Sequence, residues 1–423
     1  MEGEEEIDRI SRLPDYLIHE ILSFIDMKYA VQTSVLSKRW KNIWLSVPFI
    51  SLHWESFRKG IVYDVGETVD RFLAFVNKVF EFRDESDIEM IKLVIVILND
   101  ISVQALNRWI LAAVNYNVHH LDVKGINVPN LAYEIPYELF NCKSLKSLTF
   151  ILLAGGSSDI FLPKSMSLPQ IKKLWLVGST ISNLELQMLF SSCPLMEMAI
   201  IQKCHVHTYN QINIIIDSQR LDTLMVFDNR HMHLDSDDHF LAYTDKISAP
   251  NLKHFVCSGF MTEGFSLQNL SSVVTAQFRM RLREKQDDET AETYSELPAE
   301  EKEVFAKRMM KFLGAVHNVR HLTLSSGFLE LNLADLGDDW EAGLSLTCMF
   351  THLKVVEIRE VEGCENEVKF LRFLLKNSAA LEKVNLFFRS TGDSHDNVRQ
   401  VRRFERNLRV LSTASSNIQM NFI

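Results

Sequence analysis

The chain has 423 residues, a formal charge of −10, 47% hydrophobic and 24% charged residues, the balance of a folded, water-soluble protein and not of a disordered one. Its length exceeds one ordinary globular core, so two or three domains or an elongated repeat array are expected. Lys307-Arg308 and Arg402-Arg403 are isolated basic pairs in an acidic chain, which argues against nucleic acid as a partner.

The first element runs from Leu13 to Trp44. Pro14 suits the first turn of a helix, where its missing N–H has no partner to lose, and Asp15 complements the positive helix end. Tyr16, Leu17, Ile18, Ile21, Leu22, Phe24 and Ile25 spread over about two thirds of the circumference, more than one buried face needs. From Ile10 to Ile50, 22 of 41 residues are apolar, and a unit of about 40 residues rarely stabilises a core alone. The excess apolar surface therefore calls for a partner. Leu13-Pro14, the Ile18/Ile21/Leu22 spacing and the run from Val35-Leu36-Ser37-Lys38-Arg39-Trp40 to Trp44 resemble the F-box, which binds the Skp adaptor of cullin-based ubiquitin ligases. Asp26 stands where Pro is common in plant members, and Tyr29 where Asp is common. The resemblance implies adaptor contacts from Leu13, Pro14, Leu17, Ile18, Ile21, Leu22, Val35, Leu36, Trp40 and Trp44, with the Trp residues also holding the helices together.

Next, Val47 to Trp54 alternates as a first strand, and Thr68 is placed to cap a helix carrying Phe72, Phe75, Val76, Val79 and Phe80. A period then emerges. The pattern apolar-x-x-apolar-x-apolar recurs at Ile91/Val94/Val96, Val118/Leu121/Val123, Leu145/Leu148/Phe150, Ile171/Leu174/Leu176, Leu195/Met198/Ile200, Leu221/Leu224/Val226 and Leu252/Phe255/Cys257, in steps of 24 to 31 residues. This is the leucine-rich-repeat pattern: one strand plus one helix or turn per unit, each unable to bury its face without its neighbours. Leu106, Ile110, Ala113 and Val114 mark one such helix, and Pro194 ends another after Leu184 to Leu189. The Asn or Cys usual after the strand is mostly missing, so irregular curvature is expected.

After a match at Val273/Ala276/Phe278, an acidic stretch around Asp287-Asp288-Glu289 reads as a surface loop and Pro298 as the start of a helix through Phe305, Met309, Phe312, Leu313 and Val316. The strand pattern resumes at Val319/Leu322/Leu324, Leu353/Val356/Ile358 and Leu381/Val384/Leu386. Leu353 to Phe388, with a helix through Val368, Leu371, Leu374 and Leu375, resembles the FBD segment of plant F-box proteins. Val398 to Leu411 is helical by spacing, and Ile418 to Ile423 alternates as a last strand. The expected class is α/β, a three-helix F-box at 1–48, an irregular leucine-rich-repeat solenoid at 49–349 with an acidic insertion near 283–300, and an FBD segment with cap at 350–423. Its curved parallel sheet should carry helices on the convex side.

Chemistry is sparse. The six cysteines (Cys142, Cys193, Cys204, Cys257, Cys348, Cys364) form no C-x-x-C and read as small buried hydrophobes in a reducing compartment. The acidic start Met1 to Glu6 is unlike a secretory signal, and no apolar run reaches 18 residues, so a soluble cytoplasmic or nuclear protein without membrane contact is expected. His231, His233 and Asp235 would share a strand face and could ligate zinc, although such polar runs are usually solvated loops. No metal or cofactor is expected.

Three function classes follow. The resemblance implies a non-catalytic substrate-receptor subunit of a ubiquitin ligase, bound to a Skp-type adaptor and through it to a cullin, with an unknown protein substrate. A receptor whose repeats hold a small signalling molecule, and a metal enzyme using the His231 cluster, are the alternatives. Positions between the inward residues should line the concave face: polar at His120, Asp122, Lys124, Glu357 and Arg359, but apolar in the middle repeats. Trp175, Val177, Ile201, Met225 and Phe227 are the candidate substrate-binding floor.

Overall fold

The computed structural model describes residues 10, 12–60, 64–128, 133–154, 160–208, 215–227, 230–233, 244–260, 264–268, 270–281, 312–325, 329, 350–361, 363, 365–389, 395–411 and 418–423. They form two compact units. The first takes the described residues of Met1–Ile181, Ser191–Met196 and Lys203–His205, and the second those of Ser182–Phe190, Glu197–Gln202 and Val206–Ile423.

The first unit opens with α1 (Asp15–Leu22), α2 (Met27–Gln32) and the single-turn α3 (Trp40–Ile43). Ile18, Leu22, Met27, Ala30, Trp40 and Ile43 make their common core. Then come β1 (Phe49–His53), α4 (Val65–Phe82), β2 (Met90–Val96), α5 (Asp100–Asn115), β3 (His120–Val128), β4 (Tyr133–Glu134), β5 (Ser147–Ala154), β6 (Ile160–Phe161), β7 (Lys173–Val177) and β8 (Thr180–Ser182). Strands β1, β2, β3, β5 and β7 pair in that order, all parallel. A second, short parallel ladder joins β4, β6 and β8. On the helical layer, Phe72 of α4 meets Trp109 of α5 edge to face at 5.9 Å, and the Trp109 indole donates to Asn77 Oδ1 at 2.9 Å. A capping box between Asn99 and Ser102 starts α5.

In the second unit the strands are β9 (Met198–Gln202), β10 (His205–Thr208), β11 (Ile215–Asp217), β12 (Thr223–Phe227), β13 (Arg230–His233), β14 (Thr244–Ser248), β15 (His254–Phe260), β16 (Gly264–Gln268), β17 (Thr275–Arg281), β18 (His321–Ser325), β19 (Val355–Val361), β20 (Lys383–Phe388) and β21 (Gln419–Phe422). Its helices are α6 (Asn183–Ser192), α7 (Glu365–Asn377) and α8 (His395–Arg409). The order β9-β12-β15-β17-β18-β19-β20-β21 is parallel throughout. Strands β11, β14 and β16 form a separate parallel ladder.

One backbone device repeats at the entry to most strands of the long ladder. A single carbonyl accepts two N–H groups from the next repeat: His119 O from Lys146 and Ser147, and Lys146 O from Lys172 and Lys173 in the first unit. In the second unit Glu197 O, Asp222 O, Lys253 O, Val274 O, Arg320 O and Lys354 O each do the same for the following strand. No side chain is needed for this handover, which is why the strands align although Asn and Cys are missing at the expected positions.

The inward positions confirm most of the period. Leu121/Val123, Leu148/Phe150, Leu174/Leu176, Phe255/Cys257, Ala276/Phe278, Leu322/Leu324, Val356/Ile358 and Val384/Leu386 are all buried. Two repeats are framed differently from the sequence reading. Pairing of Ile91 with Leu121 and Leu93 with Val123 makes the first frame Ile88/Ile91/Leu93 and not Ile91/Val94/Val96. In β9, Leu224 pairs with Ala199, so Met196/Ala199/Ile201 point inward while Met198 and Ile200 are half-buried on the outer face. A shift of one residue reverses every side chain of a strand. Asp64, not Thr68, caps α4: its carboxylate accepts from Glu67 N at 2.8 Å while buried Thr68 donates to Asp64 O.

Phe312, Leu313 and Val316 are buried as expected, whereas Phe305, Met309 and the acidic stretch lie outside the described residues. Cys142, Cys193, Cys204 and Cys257 are buried, and burial pushes the Cys193 thiol up to about 12. Cys348 and Cys364 lie outside the described residues.

Candidate protein-docking surfaces

The helical head divides its apolar residues between two jobs. Pro14, Leu17 and Ile21 recur on one face of α1, and Ile18 and Leu22 on the other. Leu17 and Ile21 are 37% and 47% exposed, against 0% and 1% for Ile18 and Leu22. Before α3, Val35 is 88% and Leu36 62% exposed. Ile18, Leu22 and Trp40 are thus internal packing groups and present no surface to a partner, a correction to the sequence-based set; Leu13 and Trp44 are half-buried. Phe24 and Tyr16, at 80% and 69%, enlarge the open apolar area. An ion pair between Arg39 and Asp15 ties the segment before α3 to the start of α1.

The unusual Asp26 has a local reason. Its Oδ1 accepts from Lys28 N at 2.8 Å, capping α2, and its Oδ2 accepts from His53 N at 2.9 Å, fixing the α1–α2 turn to β1. Tyr29 stays exposed, with the Lys28 ammonium 5.6 Å from its ring centre. Behind the head, Arg83 is buried and its guanidinium donates to four carbonyls, with Val47 O at 2.7 Å, Ser86 O at 3.1 Å, Asp87 O at 3.2 Å and Leu45 O at 3.5 Å. It also lies over the Tyr116 ring, and desolvation lowers its pKa. Sequence reading gave no sign of this residue, because its partners are backbone atoms.

On the outer sheet face of the first unit, register aligns Lys92, Asp122, Thr149 and Trp175 in one row. Trp175 is half-buried; Val177, in the same strand, is buried. Trp175 Nε1 and Asp122 Oδ1 have no hydrogen-bond partner among the described residues. At the edge of this face Glu89 accepts from or pairs with His119 Nδ1 at 2.7 Å and lies 3.6 Å from His120 Nε2. Burial lowers the His120 pKa, partly offset by Glu89.

In the second unit the middle outer row reads Ile200, Met225, Val256, Gln277, Thr323, Glu357, Asn385 and Asn421. It changes from apolar to polar along the sheet. At the polar end Asn421 donates to Asn385 Oδ1 at 2.8 Å and Asn385 to Glu357 Oε1 at 3.2 Å. Met225 and Phe227 are half-buried on this face as expected, whereas Ile201 is 1% exposed and faces inward. Ile200 takes the place given to Ile201 by the sequence. His231 and His233 lie on β13 and Asp235 lies outside the described residues; among the described residues no group of three His, Cys, Asp or Glu could hold a metal. Nor is any described helix long and apolar enough to cross a membrane.

Three family models match this chain: the F-box domain at residues 10–52, the LRR repeats of FBD-associated F-box protein At5g56370 at 106–272, and FBD at 345–386. Among curated relatives, the Arabidopsis thaliana F-box/FBD/LRR-repeat protein At1g78750 is 30% identical over 279 residues, 65% of this chain and 57% of that protein. The FBD-associated F-box protein At5g22730 of the same plant is 25% identical over 435 residues, covering 90% of this chain and 88% of the relative. Putative F-box/FBD/LRR-repeat protein At5g44950, also from Arabidopsis thaliana, is 26% identical over 431 residues, covering 90% and 92%. Several of the relatives, At1g78750 among them, are matched over little more than half their length. An F-box match on the helical head, leucine-rich-repeat matches in the parallel strands and an FBD match around α7 give the chain the three segments that name these F-box/FBD/LRR-repeat relatives.

Proposed function

We propose that this chain is the substrate-recognition subunit of a Skp–cullin–F-box ubiquitin ligase, a non-catalytic adaptor that brings a target protein to catalytic subunits held elsewhere in the complex. The observation that carries the reading is the division of labour in the head. Residues that an isolated helical head needs for its own core are buried, while Leu17, Ile21, Val35 and Leu36 remain open to water. Solvent-facing aliphatic side chains of this size and number mark an interaction site. Leu13, Pro14, Leu17, Ile21, Val35 and Leu36 are the docking residues, and the sheet face of the repeats is left to hold the substrate.

The test is co-expression with a Skp-type adaptor followed by size-exclusion chromatography. A stoichiometric complex is expected from the native chain, and its loss in the Leu13→Ala, Pro14→Ala double variant with an unchanged melting temperature. A folded double variant that co-elutes as well as the native chain would refute the docking assignment. Reconstitution with the cullin arm should then let the chain recruit ubiquitin transfer to a captured substrate without itself forming a thioester.

A further inference from the structure

In the second unit the outer face has a local charge opposite to that of the chain. Among the described residues of the long ladder, Arg279, Arg359 and Lys383 alternate outward there against the outward carboxylate of Glu357, with exposed Glu360 at a bulge beside Arg359, in a protein of net charge −10. That carboxylate is already engaged: Glu357 accepts from Asn385 through Oε1 and lies 3.4 Å from Arg359 Nη2 through Oε2. Two arginines remain open to solvent. Ser325 pairs with Arg359, and Arg279 lies one step past the Phe278–Leu324 pair, so the two arginines flank the small, buried Ser325 from the strands on either side. Neighbouring strands are about 4.8 Å apart, which sets the two Cα atoms about 10 Å apart over a low floor.

Both guanidinium groups are oriented. Arg359 lies 5.4 Å from the Phe387 ring centre, and the Gln277 amide, turned with its oxygen toward Arg279, accepts from Nε at 2.6 Å and Nη2 at 2.8 Å. Paired, oriented guanidinium forks match the two oxygens of a carboxylate. Beside this pair, Ile200, Met225 and Val256 stand in register as a half-buried aliphatic row. The centre of that row, Met225, is three strand spacings sideways and two residues along from Ser325, roughly 16 Å, which an extended chain covers in about five residues.

We infer that the outer face of the second unit recognises an extended acidic segment of a partner protein, with one aliphatic side chain on the Ile200/Met225/Val256 row and a carboxylate about five residues away between Arg279 and Arg359. This rests on the substrate-receptor reading and names the chemistry of what is received. Complementary charge fixes register and speeds encounter, and the aliphatic contact slows release.

The experiment uses the full chain bound to its adaptor and an array of fluorescein-labelled twelve-residue peptides, each with one Leu and a Glu pair placed two to seven residues away, read by polarisation. Matched arrays carry Lys in place of Glu, phosphoserine in place of Glu, or Ala in place of Leu. Binding should peak near a spacing of five, weaken about tenfold or more from 50 to 300 mM salt, and fall at least tenfold without the Leu. The Arg279→Glu, Arg359→Glu variant should lose the acidic series at least tenfold and gain the Lys series, while keeping its melting temperature and its adaptor. Arg279→Lys with Arg359→Lys should keep the charge preference and lose affinity.

Signals independent of charge sign or of spacing, or an acidic series untouched by the double Glu variant, would overturn the inference. So would phosphoserine peptides bound more than tenfold tighter than their Glu counterparts. Failure of the native chain to bind a Skp-type adaptor would instead overturn the receptor reading, so the two outcomes separate.

Discussion

Ile18 and the Val35-Leu36 pair lie in the same short head and should respond to truncation in opposite ways. Ile18 is 0% exposed, so Ile18→Ala removes three carbons from a closed core. At about 0.8 kcal/mol per methylene the transfer loss is about 2.4 kcal/mol, and the cavity left behind raises the cost into the range of 2–5 kcal/mol. Val35 and Leu36 are 88% and 62% exposed, so Val35→Ala with Leu36→Ala should change stability by no more than about 0.5 kcal/mol. If they are central anchors in the complex, the pair should cost about 2 kcal/mol or more of adaptor binding, roughly thirtyfold in Kd. Urea unfolding followed by tryptophan fluorescence measures the first quantity, and calorimetric titration of the full chain with adaptor measures the second. A Val35/Leu36 variant that binds with native affinity would refute the reasoning. So would an Ile18→Ala protein that stays as stable as the native chain.

The register correction predicts that Ile201→Asp prevents folding, because it buries a charge, while Ile200→Asp lowers stability by less than about 1 kcal/mol; equal expression and melting of the two would show β9 in the other register. Arg83→Met should cost about 2–4 kcal/mol by leaving carbonyls of Val47, Ser86 and Asp87 without their donor, and Arg83→Lys should not restore it, since an ammonium cannot reproduce the fork. Gly178 has φ +79°, and a Cβ there would fall 2.2 Å from Leu152 O, so Gly178→Ala should cost at least about 2 kcal/mol in a thermal melt. Burial lowers the His120 pKa below its usual 6.5. The unfolded chain therefore binds the proton more readily, and stability present above pH 6.5 is lost as the pH falls through the folded value. The melting temperature of His120→Gln should accordingly fall less than that of the native chain between pH 7 and pH 5.

Legibility in the sequence followed the contrast between neighbouring residues. Where an inward Leu alternates with an outward Lys or Asp, as at Leu121/Asp122/Val123, the strand frame could be read directly. In β9 every residue from Leu195 to Ile201 except Glu197 is apolar, so no period of two exists and Met198 outweighed the smaller Ala199. The backbone pairing, not the hydrophobicity, sets that frame. The head was legible as a docking element because its motif is dense, but its split between inward and outward residues was not, since Ile18 and Ile21 look alike without the partner helices. Arg83 and the Arg279/Arg359 pair were invisible for a different reason: their meaning lies in atoms distant in sequence, backbone carbonyls in one case and a strand two places along the sheet in the other.

The shared carbonyl at most strand entries of the long ladder makes the segments between those strands free to change length. The interval from β17 to β18 is much longer than that from β12 to β15, yet both are joined by the same two N–H bonds to one oxygen, Val274 O in one and Asp222 O in the other. An insertion in a connecting segment leaves these bonds untouched, and the entropy of closing a longer loop grows only slowly with its length. An insertion of one residue inside a strand moves a core side chain to the water side. Lineages carrying this device can therefore gain, lose and reshape connectors while the strand stack is inherited intact, which fits relatives that remain only 25–26% identical over about nine tenths of the chain.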